Sequence, residues 1–307
     1  MGNWILKALI QGVISVTPMS EDLNFLFQKY VTHSVKQSKS SLSIRLVWCG
    51  KHIEYYRQYS SGQNLPSSAL ELGTGWLSTV PVGLYLSGID TIYTVDIHDL
   101  RKREVQVDLL NVLTSFATEE LKAKLPTLIE SRFDSLREMW RSGQTPEEIF
   151  QSMGIRFLIA DARHLDLQAG TIPFFVSNTT FEHIPGAMLT DILREFHRLA
   201  TPDAVMSHLI DMSDHYEHFY HSLSVYSFLQ HGPLVWRLVN NSLMYQNRLR
   251  INDFRAIHQT AGFKIVHEEN HIKHAARLDE IKLAAAFREY SREDLIPSSS
   301  WMISKPV

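Results

Sequence analysis

Residues 70–78 read LELGTGWLS, in which an acid precedes two glycines that are separated by one residue. The glycines directly follow the apolar run SALEL (residues 68–72), which predicts a buried β-strand. Gly73 and Gly75 allow the backbone to turn sharply and let a ligand approach where a Cβ atom would block it. Amides at the start of the next helix can then face that ligand. The stretch therefore predicts a strand, a ligand-binding turn and a helix.

Further short apolar runs alternate with helical patterns along the rest of the chain. This order predicts a parallel sheet with crossover helices, and the continuous apolar character of the runs is typical of strands buried on both faces. The predicted strands are SALEL, TIYTVDI, IRFLIADA, IPFFVSN, AVMSHLIDM and FKIVHEE, with SSSWMISKP as a seventh. The predicted fold class is α/β, a Rossmann-like three-layer sandwich with a mostly parallel, seven-stranded sheet.

A segment rich in Ser and Gln, residues 36–68, predicts a border between two parts of the chain. Residues 1–66 are interpreted as an N-terminal helical extension and residues 67–307 as the main domain. Two connections in that domain, residues 99–154 and 213–250, are too long for simple crossovers and are interpreted as insertions. We expect solvated helices in the first of them.

The helix INDFRAIHQTAGF precedes the sixth predicted strand and shows both a start and a stop signal. We expect Asn252 to cap its N-terminus and Gly262 to end it.

Composition and charge narrow the classes of function. The chain has 307 residues, of which 44% are hydrophobic and 21% charged, as in an ordinary globular protein. Its formal net charge of -3 supplies no basic field, so we expect no nucleic-acid partner. Cys49 is the only cysteine, which excludes an internal disulfide and a thiolate metal cluster. These features predict a cytoplasmic protein.

The N-terminal residues 3–16 are apolar but are interrupted by Lys7 and Gln11. The stretch is too short to span a bilayer, so we expect no transmembrane segment. A helix that docks on the domain is the expected structure, and peripheral membrane contact through residues 3–16 is the alternative.

The glycine turn is compatible with more than one adenosine cofactor. Asp96 ends the second predicted strand 21 residues after Gly75, a separation at which an acid can accept hydrogen bonds from both hydroxyls of a ribose. A dinucleotide-binding turn would have a third glycine at position 78, where this chain has Ser78. The pattern therefore favours an adenosine cofactor other than a dinucleotide.

Six motifs in one order, ELGTG, TVDI, IADA, VSNTTFEHI, REFHRLA and QTAGFKIV, resemble those of the class I S-adenosylmethionine-dependent methyltransferases that act on small molecules. The resemblance runs from about residue 69 to residue 272. The sequence departs from that family at Leu77, where a third glycine is common, and at TPDA (residues 201–204), which replaces a Gly-Gly turn. The resemblance implies that Glu71, Gly73 and Gly75 form the loop under the methionine moiety, that Asp96 binds the ribose, that Asp161 and the adjacent Ala162 lie at the adenine, and that Asn178 and Thr179 lie beside the sulfonium.

Two histidines follow predicted strand ends, where open α/β sheets bind ligands. His183 follows the fourth strand, and His215 follows the fifth with Asp211 and Asp214 nearby. Both are candidate general bases for an acceptor hydroxyl, because the histidine pKa lies near working pH. The alternative is that His183 orients its loop, which a lone histidine does more often.

Two further groups of histidines mix spacings of three and four residues and lack the His-Glu-x-x-His pattern. They comprise His215, His218 and His221, and His267, His271 and His274. We therefore expect no metal site at either group.

The second insertion is rich in aromatic residues, which supply either a lid over a substrate or a small satellite core. Arg248 and Arg250 are candidates to hold an anionic group of the acceptor.

The predicted function is S-adenosylmethionine-dependent methyl transfer to an oxygen, or a nitrogen, of a small-molecule acceptor. The alternatives are an NAD-dependent oxidoreductase and a non-catalytic assembly protein with the same fold.

Overall fold

The computed structural model of the chain describes residues 37–62, 64–217, 222–240 and 245–307. The predicted N-terminal helix over residues 3–16, and the histidines at 218 and 221, lie outside the described residues.

A seven-stranded sheet in the order β3-β2-β1-β4-β5-β7-β6 forms the centre of the fold. The first five strands are parallel, and β7 pairs antiparallel with both β5 and β6. The predicted fold class is therefore confirmed, and the antiparallel strand is β7. The strands are β1 (Ser68–Leu72), β2 (Thr91–Asp96), β3 (Ile155–Ile159), β4 (Ile172–Asn178), β5 (Ala200–Asp211), β6 (Phe263–His271) and β7 (Ser299–Pro306).

Helices cover both faces of the sheet, and the side chains that alternate along a strand are therefore buried on both sides. On β4, Phe174 and Val176 belong to one hydrophobic cluster, whereas Phe175 belongs to the other. The helices are α1 (Lys39–Tyr59), α2 (Thr79–Leu86), α3 (Arg103–Thr114), α4 (Thr118–Lys122), α5 (Glu130–Arg141), α6 (Pro146–Ser152), α7 (Gly186–Leu199), α8 (Pro233–Val239), α9 (Ile251–Thr260) and α10 (Arg292–Leu295). Helices α1 to α6 pack in the first hydrophobic cluster and form one outer layer, whereas α7 and α9 pack in the second cluster and form the other.

Helix α1 lies in the segment that the sequence marks as a border. Ser38 caps its N-terminus, because the Ser38 hydroxyl accepts from the Ser41 amide at 3.1 Å. Leu42, Leu46 and Cys49 on this helix are fully buried in the core that includes β4 and β5. The described part of the helical extension thus belongs to the outer layer of the sheet, and the exact domain boundary stays a prediction.

The first insertion is more buried than the sequence predicts. Its helices α3 to α6 share one hydrophobic cluster with α1 and α2, and Leu109, Leu110, Leu113 and Phe116 are at most 1% exposed. The expectation of solvated helices is therefore wrong for this face, because the apolar side chains of α3 extend the core past the edge of α2.

Two local predictions also require correction. Helix α9 is capped by Arg250 rather than by Asn252, because the Asp253 carboxylate accepts from the Arg250 amide at 2.8 Å. Residues 201–204 lie within β5 rather than in a turn before it. Gly262 follows the end of α9 with φ +87°, as the predicted stop signal requires.

Among the described residues, no helix is both long enough and apolar enough to span a bilayer.

Candidate functional site

The strand order reverses between β1 and β4, and this reversal defines the candidate site. The chain proceeds outward from β1 to β3 and then returns to β4 on the other side of β1. Open α/β sheets bind ligands in the crevice that such a switch leaves at the carboxyl ends of the strands. Because β1 to β5 are parallel, all predicted site residues lie at the carboxyl ends of these strands or in the loops that follow them: Glu71, Gly73 and Gly75 (β1), Asp96 (β2), Asp161 and Ala162 (β3), Asn178, Thr179 and His183 (β4), and His215 (β5).

The two glycines of the turn differ in what surrounds them. Both have positive φ, +87° for Gly73 and +59° for Gly75. A Cβ atom on Gly73 would lie 2.4 Å from the hydroxyl oxygen of Thr180, whereas nothing lies within 4 Å of one on Gly75. The absent side chain of Gly73 therefore makes room for the loop after β4 and not for a ligand, which corrects part of the interpretation of the turn. Gly75 alone presents open space.

Asp96 ties the glycine turn to the end of β2. Its carboxylate accepts from the Gly75 amide at 3.0 Å and from the His98 amide at 3.3 Å. A carboxylate has about four lone-pair directions, so these two bonds leave acceptor capacity for a ligand. Ile97, the next residue, is 59% exposed and offers an apolar face at the same edge.

Glu71 lies beneath the turn. Its carboxylate accepts from the Thr94 hydroxyl at 2.6 Å, and Thr94 is in turn 2.5 Å from the Thr74 hydroxyl. Glu71 is only 3% exposed. Burial, together with the nearby charge of Asp96, raises the pKa of Glu71 to about 8. Any contribution of Glu71 to a ligand site therefore passes through Thr94 and Thr74, which position the turn.

Gln106 on α3 holds the residues that follow the glycines. Its side-chain amide donates to the Trp76 carbonyl at 2.7 Å and accepts from the Ser78 amide at 3.4 Å. The residue is 3% exposed and belongs to the first insertion, where no local pattern indicates such a role.

Asp161 is already paired. The Arg163 guanidinium contacts both carboxylate oxygens at 2.5–3.0 Å, and the Arg163 amide donates to one of them at 3.0 Å. These hydrogen bonds lower the pKa of Asp161 to about 2. Ala162 beside it is buried. The predicted contact of this pair with an adenine stays a prediction, and Asp161 would make it in addition to its ion pair.

Asn178 is oriented by a histidine from the other end of the chain. The Asn178 side-chain oxygen is 3.1 Å from Nε2 of His52 on α1, and Nδ1 of His52 is 2.7 Å from the Ser207 hydroxyl. Burial lowers the pKa of His52 to about 3, so the ring is neutral. This leaves the Asn178 side-chain nitrogen as a buried donor with no partner among the described residues.

The loop after Asn178 adopts an unusual backbone. Thr179 has φ +46°, a conformation that a β-branched residue rarely adopts, and its amide donates to the Leu209 carbonyl at 2.8 Å. Backbone strain of this kind concentrates at functional sites.

The structure brings His183 and His215 together, with ring centroids 5.0 Å apart. Nδ1 of His183 is 2.7 Å from the Tyr245 carbonyl, so Nδ1 carries the proton and Nε2 presents a lone pair. Surrounding protein lowers the pKa of His183, although the residue reaches solvent. Nε2 of His215 is 3.7 Å from the Asp211 carboxylate, which is longer than a hydrogen bond, so the His–Asp pair stays a prediction.

Asp214, the other acid that the sequence places near His215, has a structural role. Its carboxylate accepts from the amides of Tyr216 and Phe228. Burial raises the pKa of Asp214 to about 7.

Glu182 is a functional candidate that the sequence analysis missed. It is 1% exposed, and neither carboxylate oxygen has a hydrogen-bond partner among the described residues. Burial and the nearby charge of Asp211 raise the pKa of Glu182 well above its ordinary value. The motif FEHI contains the residue, but its burial depends on contacts that no local pattern reveals.

Four described aromatic side chains of the second insertion belong to a satellite core. Tyr216, Tyr226, Phe228 and Trp236 are at most 8% exposed and pack with Phe287.

Arg248 and Arg250 support this core, which corrects their assignment to an acceptor. Arg248 donates to the carbonyls of Phe228 and His231. Arg250 is fully buried and donates to the carbonyls of Met212, Leu295 and Pro297 at 2.7–2.8 Å.

No protein-family model and no curated protein matches the sequence. Solved structures of methyltransferases align over most of the chain. An S-adenosylmethionine-dependent methyltransferase from Methanosarcina mazei is 11% identical, with a TM-score of 0.45 over 82% of this chain and 97% of that one. Geranyl diphosphate C-methyltransferase from Streptomyces coelicolor is 9% identical, with a TM-score of 0.46 over 84% of this chain and 79% of that one. At these values the alignments establish neither activity nor substrate, which are inferred below from the chain's own residues.

Proposed function

We propose that the chain is an S-adenosylmethionine-dependent methyltransferase that transfers a methyl group to an oxygen, or a nitrogen, of a small-molecule acceptor. The observation that carries the proposal is the turn at Gly75, which is open to a ligand and tied to the carboxylate of Asp96 at the switch point of the sheet.

The residues at this edge fit the parts of the cofactor. A Cβ atom on Gly75 would occupy space that the fold leaves open, and the exposed Ile97 offers an apolar surface to a base. Asp96 has acceptor capacity for ribose hydroxyls. The buried, unpartnered side-chain nitrogen of Asn178 supports a polar ligand group at the end of β4.

The bound cofactor supplies a methyl group that is already activated on a sulfonium, so the chain needs chiefly to align the acceptor with it. His52 contributes by fixing the side chain of Asn178, and Gln106 by fixing the backbone after the glycine turn. We assign neither a role in proton transfer.

A hydroxyl acceptor must also lose its proton. Nε2 of His183 presents a lone pair at the solvent-accessible rim, and His215 lies beside it with Asp211 as its partner. We therefore propose His183 as the group that receives the acceptor proton and His215 as the residue that supports it.

Calorimetric titration with S-adenosylmethionine and S-adenosylhomocysteine tests the proposal. We expect both to bind with one site per chain. Absence of binding to either compound would remove the proposal, and a fluorescence titration with NADH would then test the oxidoreductase alternative. Binding without turnover over a broad acceptor panel would favour the non-catalytic alternative.

We expect Asp96→Ala to weaken S-adenosylhomocysteine binding by at least roughly 1.5 kcal/mol, about tenfold. The change removes charge-assisted hydrogen bonds to the ribose and also frees the Gly75 amide. Calorimetric titration of both proteins measures the difference.

Asp134→Ala is the matched control, because Asp134 is an exposed acid on α5 and is not one of the residues assigned to the site. It should bind S-adenosylhomocysteine like the wild type. Equal affinity of Asp96→Ala and wild type would show that Asp96 is not the ribose acid.

A further inference from the structure

Three side chains converge beside the crevice and take no part in the proposed binding of the cofactor. One ligand atom from each of Glu182, His183 and His215 lies within 4.8 Å of the other two. Two of them follow β4 directly, and the third follows β5, the neighbouring strand. The group combines residues that sequence spacing does not connect, which is why neither predicted histidine group contained it.

Glu182 is the member that calls for a positive partner. Both of its carboxylate oxygens are buried without a hydrogen bond from any described residue, and the Asp211 carboxylate lies close enough to repel it. Native proteins pair buried charges, let them coordinate metals or keep them protonated, because an isolated buried carboxylate is very unfavourable. No described residue donates a hydrogen bond to the Glu182 carboxyl, so either a proton or a bound cation neutralises it, and only a cation would also use the two imidazoles that converge on it.

The two histidines have the geometry of metal ligands. The bond from Nδ1 of His183 to the Tyr245 carbonyl fixes the ring and directs the lone pair of Nε2 away from it. A hydrogen bond from the other ring nitrogen to a carbonyl or carboxylate is the usual arrangement around a metal-bound histidine. The ring of His215, 5.0 Å away, supplies the second imidazole.

We propose that Glu182, His183 and His215 bind one divalent transition-metal ion, for which Zn²⁺ is the best match. Two imidazoles and one carboxylate are a ligand set of catalytic zinc sites, in which a fourth position stays open. Bond lengths of 2.0–2.2 Å put ligand atoms about 3.3 Å apart in a tetrahedral site. The group therefore has to close by about 1 to 1.5 Å, which side-chain rotation allows. With Asp211 nearby, the two carboxylates balance the charge of the ion.

The role of the ion rests on the proposed function, whereas its binding does not. An acceptor hydroxyl in the open position would have its pKa lowered by the ion and would release its proton to solvent water. The ion would then replace the free imidazole of His183 as the activating group, and the two histidines would serve as ligands.

Titration of the untagged, chelator-dialysed full chain with Zn²⁺ tests the inference, with binding followed by calorimetry and Co²⁺ binding followed by its visible absorption. We expect one site per chain. Mutation of a residue that only hydrogen-bonds to a metal ligand weakens metal binding about 10–100-fold. Loss of a ligand itself should cost more, so Glu182→Gln and His215→Ala should each weaken Zn²⁺ binding about 100-fold or more. His271→Ala is the control, because His271 is an exposed histidine 3.2 Å from the Glu269 carboxylate and outside the group.

Thermal unfolding with and without Zn²⁺ provides a second readout, since an ion that binds only the folded chain raises its Tm. The rise should occur in wild type and His271→Ala and be absent in Glu182→Gln, whose folding its circular dichroism verifies. Absence of Zn²⁺ binding to wild type, or equal binding to Glu182→Gln, would overturn the inference. S-adenosylhomocysteine titration of the same samples separates the two proposals. If the chain binds S-adenosylhomocysteine but not Zn²⁺, only the metal site is overturned. If it binds Zn²⁺ but not S-adenosylhomocysteine, only the methyltransferase proposal is overturned.

Discussion

Gly73→Ala is expected to destabilise the fold by about 3 kcal/mol or more, while Gly75→Ala costs only about 1 kcal/mol. Both positions have positive φ, so each alanine meets the same kind of backbone penalty. At Gly73 the new methyl group would also lie 2.4 Å from the hydroxyl oxygen and 2.7 Å from the methyl group of Thr180. Thr180 cannot move freely, because its hydroxyl lies within donating distance of the Leu72 carbonyl at 3.2 Å and of the Asn178 carbonyl at 3.1 Å. Urea denaturation of the three proteins measures the free energies of unfolding.

The same pair separates folding from binding. Because nothing lies within 4 Å of a Cβ atom on Gly75, Gly75→Ala should fold and yet bind S-adenosylhomocysteine less tightly than wild type. Equal stability losses at the two positions would contradict the contact between the turn and the loop after β4. Unchanged ligand affinity in Gly75→Ala would contradict the assignment of the open turn to the cofactor.

Glu71→Gln is expected to stabilise the protein at pH 8 by about 3 to 5 kcal/mol and to leave its stability at pH 4.5 nearly unchanged. In the folded chain the pKa of Glu71 is raised to about 8 from an ordinary value of 4.5. Between these values the unfolded chain has released a proton that the folded chain retains, so the stability of wild type falls as pH rises through this window. Glutamine retains an oxygen that can accept from Thr94 and carries no charge to bury.

Urea denaturation at pH 5, 6.5 and 8 measures this difference as a function of pH. Glu138→Gln is the control for loss of a carboxylate in general, because Glu138 is exposed on α5. The gap between Glu71→Gln and wild type should widen from pH 5 to pH 8 while the control gap stays constant. A gap that is the same at every pH for both variants would show that Glu71 is not buried in its neutral form.

The sheet was predictable because its signals are local. The strand at Ser68–Leu72 and the strand at Ile172–Asn178 coincide with the predicted runs, since continuous apolar residues bounded by polar ones suffice to identify a strand buried on both faces. Gly73 and Asp96 could be located for the same reason, because Gly73 follows such a run and Asp96 ends one, whereas Asn178 was assigned from the family resemblance.

Residues whose role depends on distant partners were not predictable. His52 contacts Asn178 and Ser207, which are 126 and 155 residues away, and it lies in a segment whose polar composition indicated a border. Gln106 is 30 residues from the backbone it holds, on a helix interpreted as solvated. Neither partnership has a spacing that a local pattern could register.

The histidines show the intermediate case. His183 and His215 were found from their positions after strand ends, but the carboxylate that joins them was not. Glu182 is one of many acids in the chain, and only its burial distinguishes it. The role of the aromatic segment after β5 was left open in the sequence, because composition alone does not distinguish a substrate lid from a satellite core.

The position of β7 has a consequence for synthesis of the protein on the ribosome. β7 lies between β5 and β6 and hydrogen-bonds to both, although it is the last of the seven strands to emerge. Until β7 emerges, β6 therefore lacks the strand with which it pairs, and the edge of β5 that β7 will cover stays open as well. Unpaired strand edges are prone to aggregate, so this interval is the one in which a chaperone has most to shield.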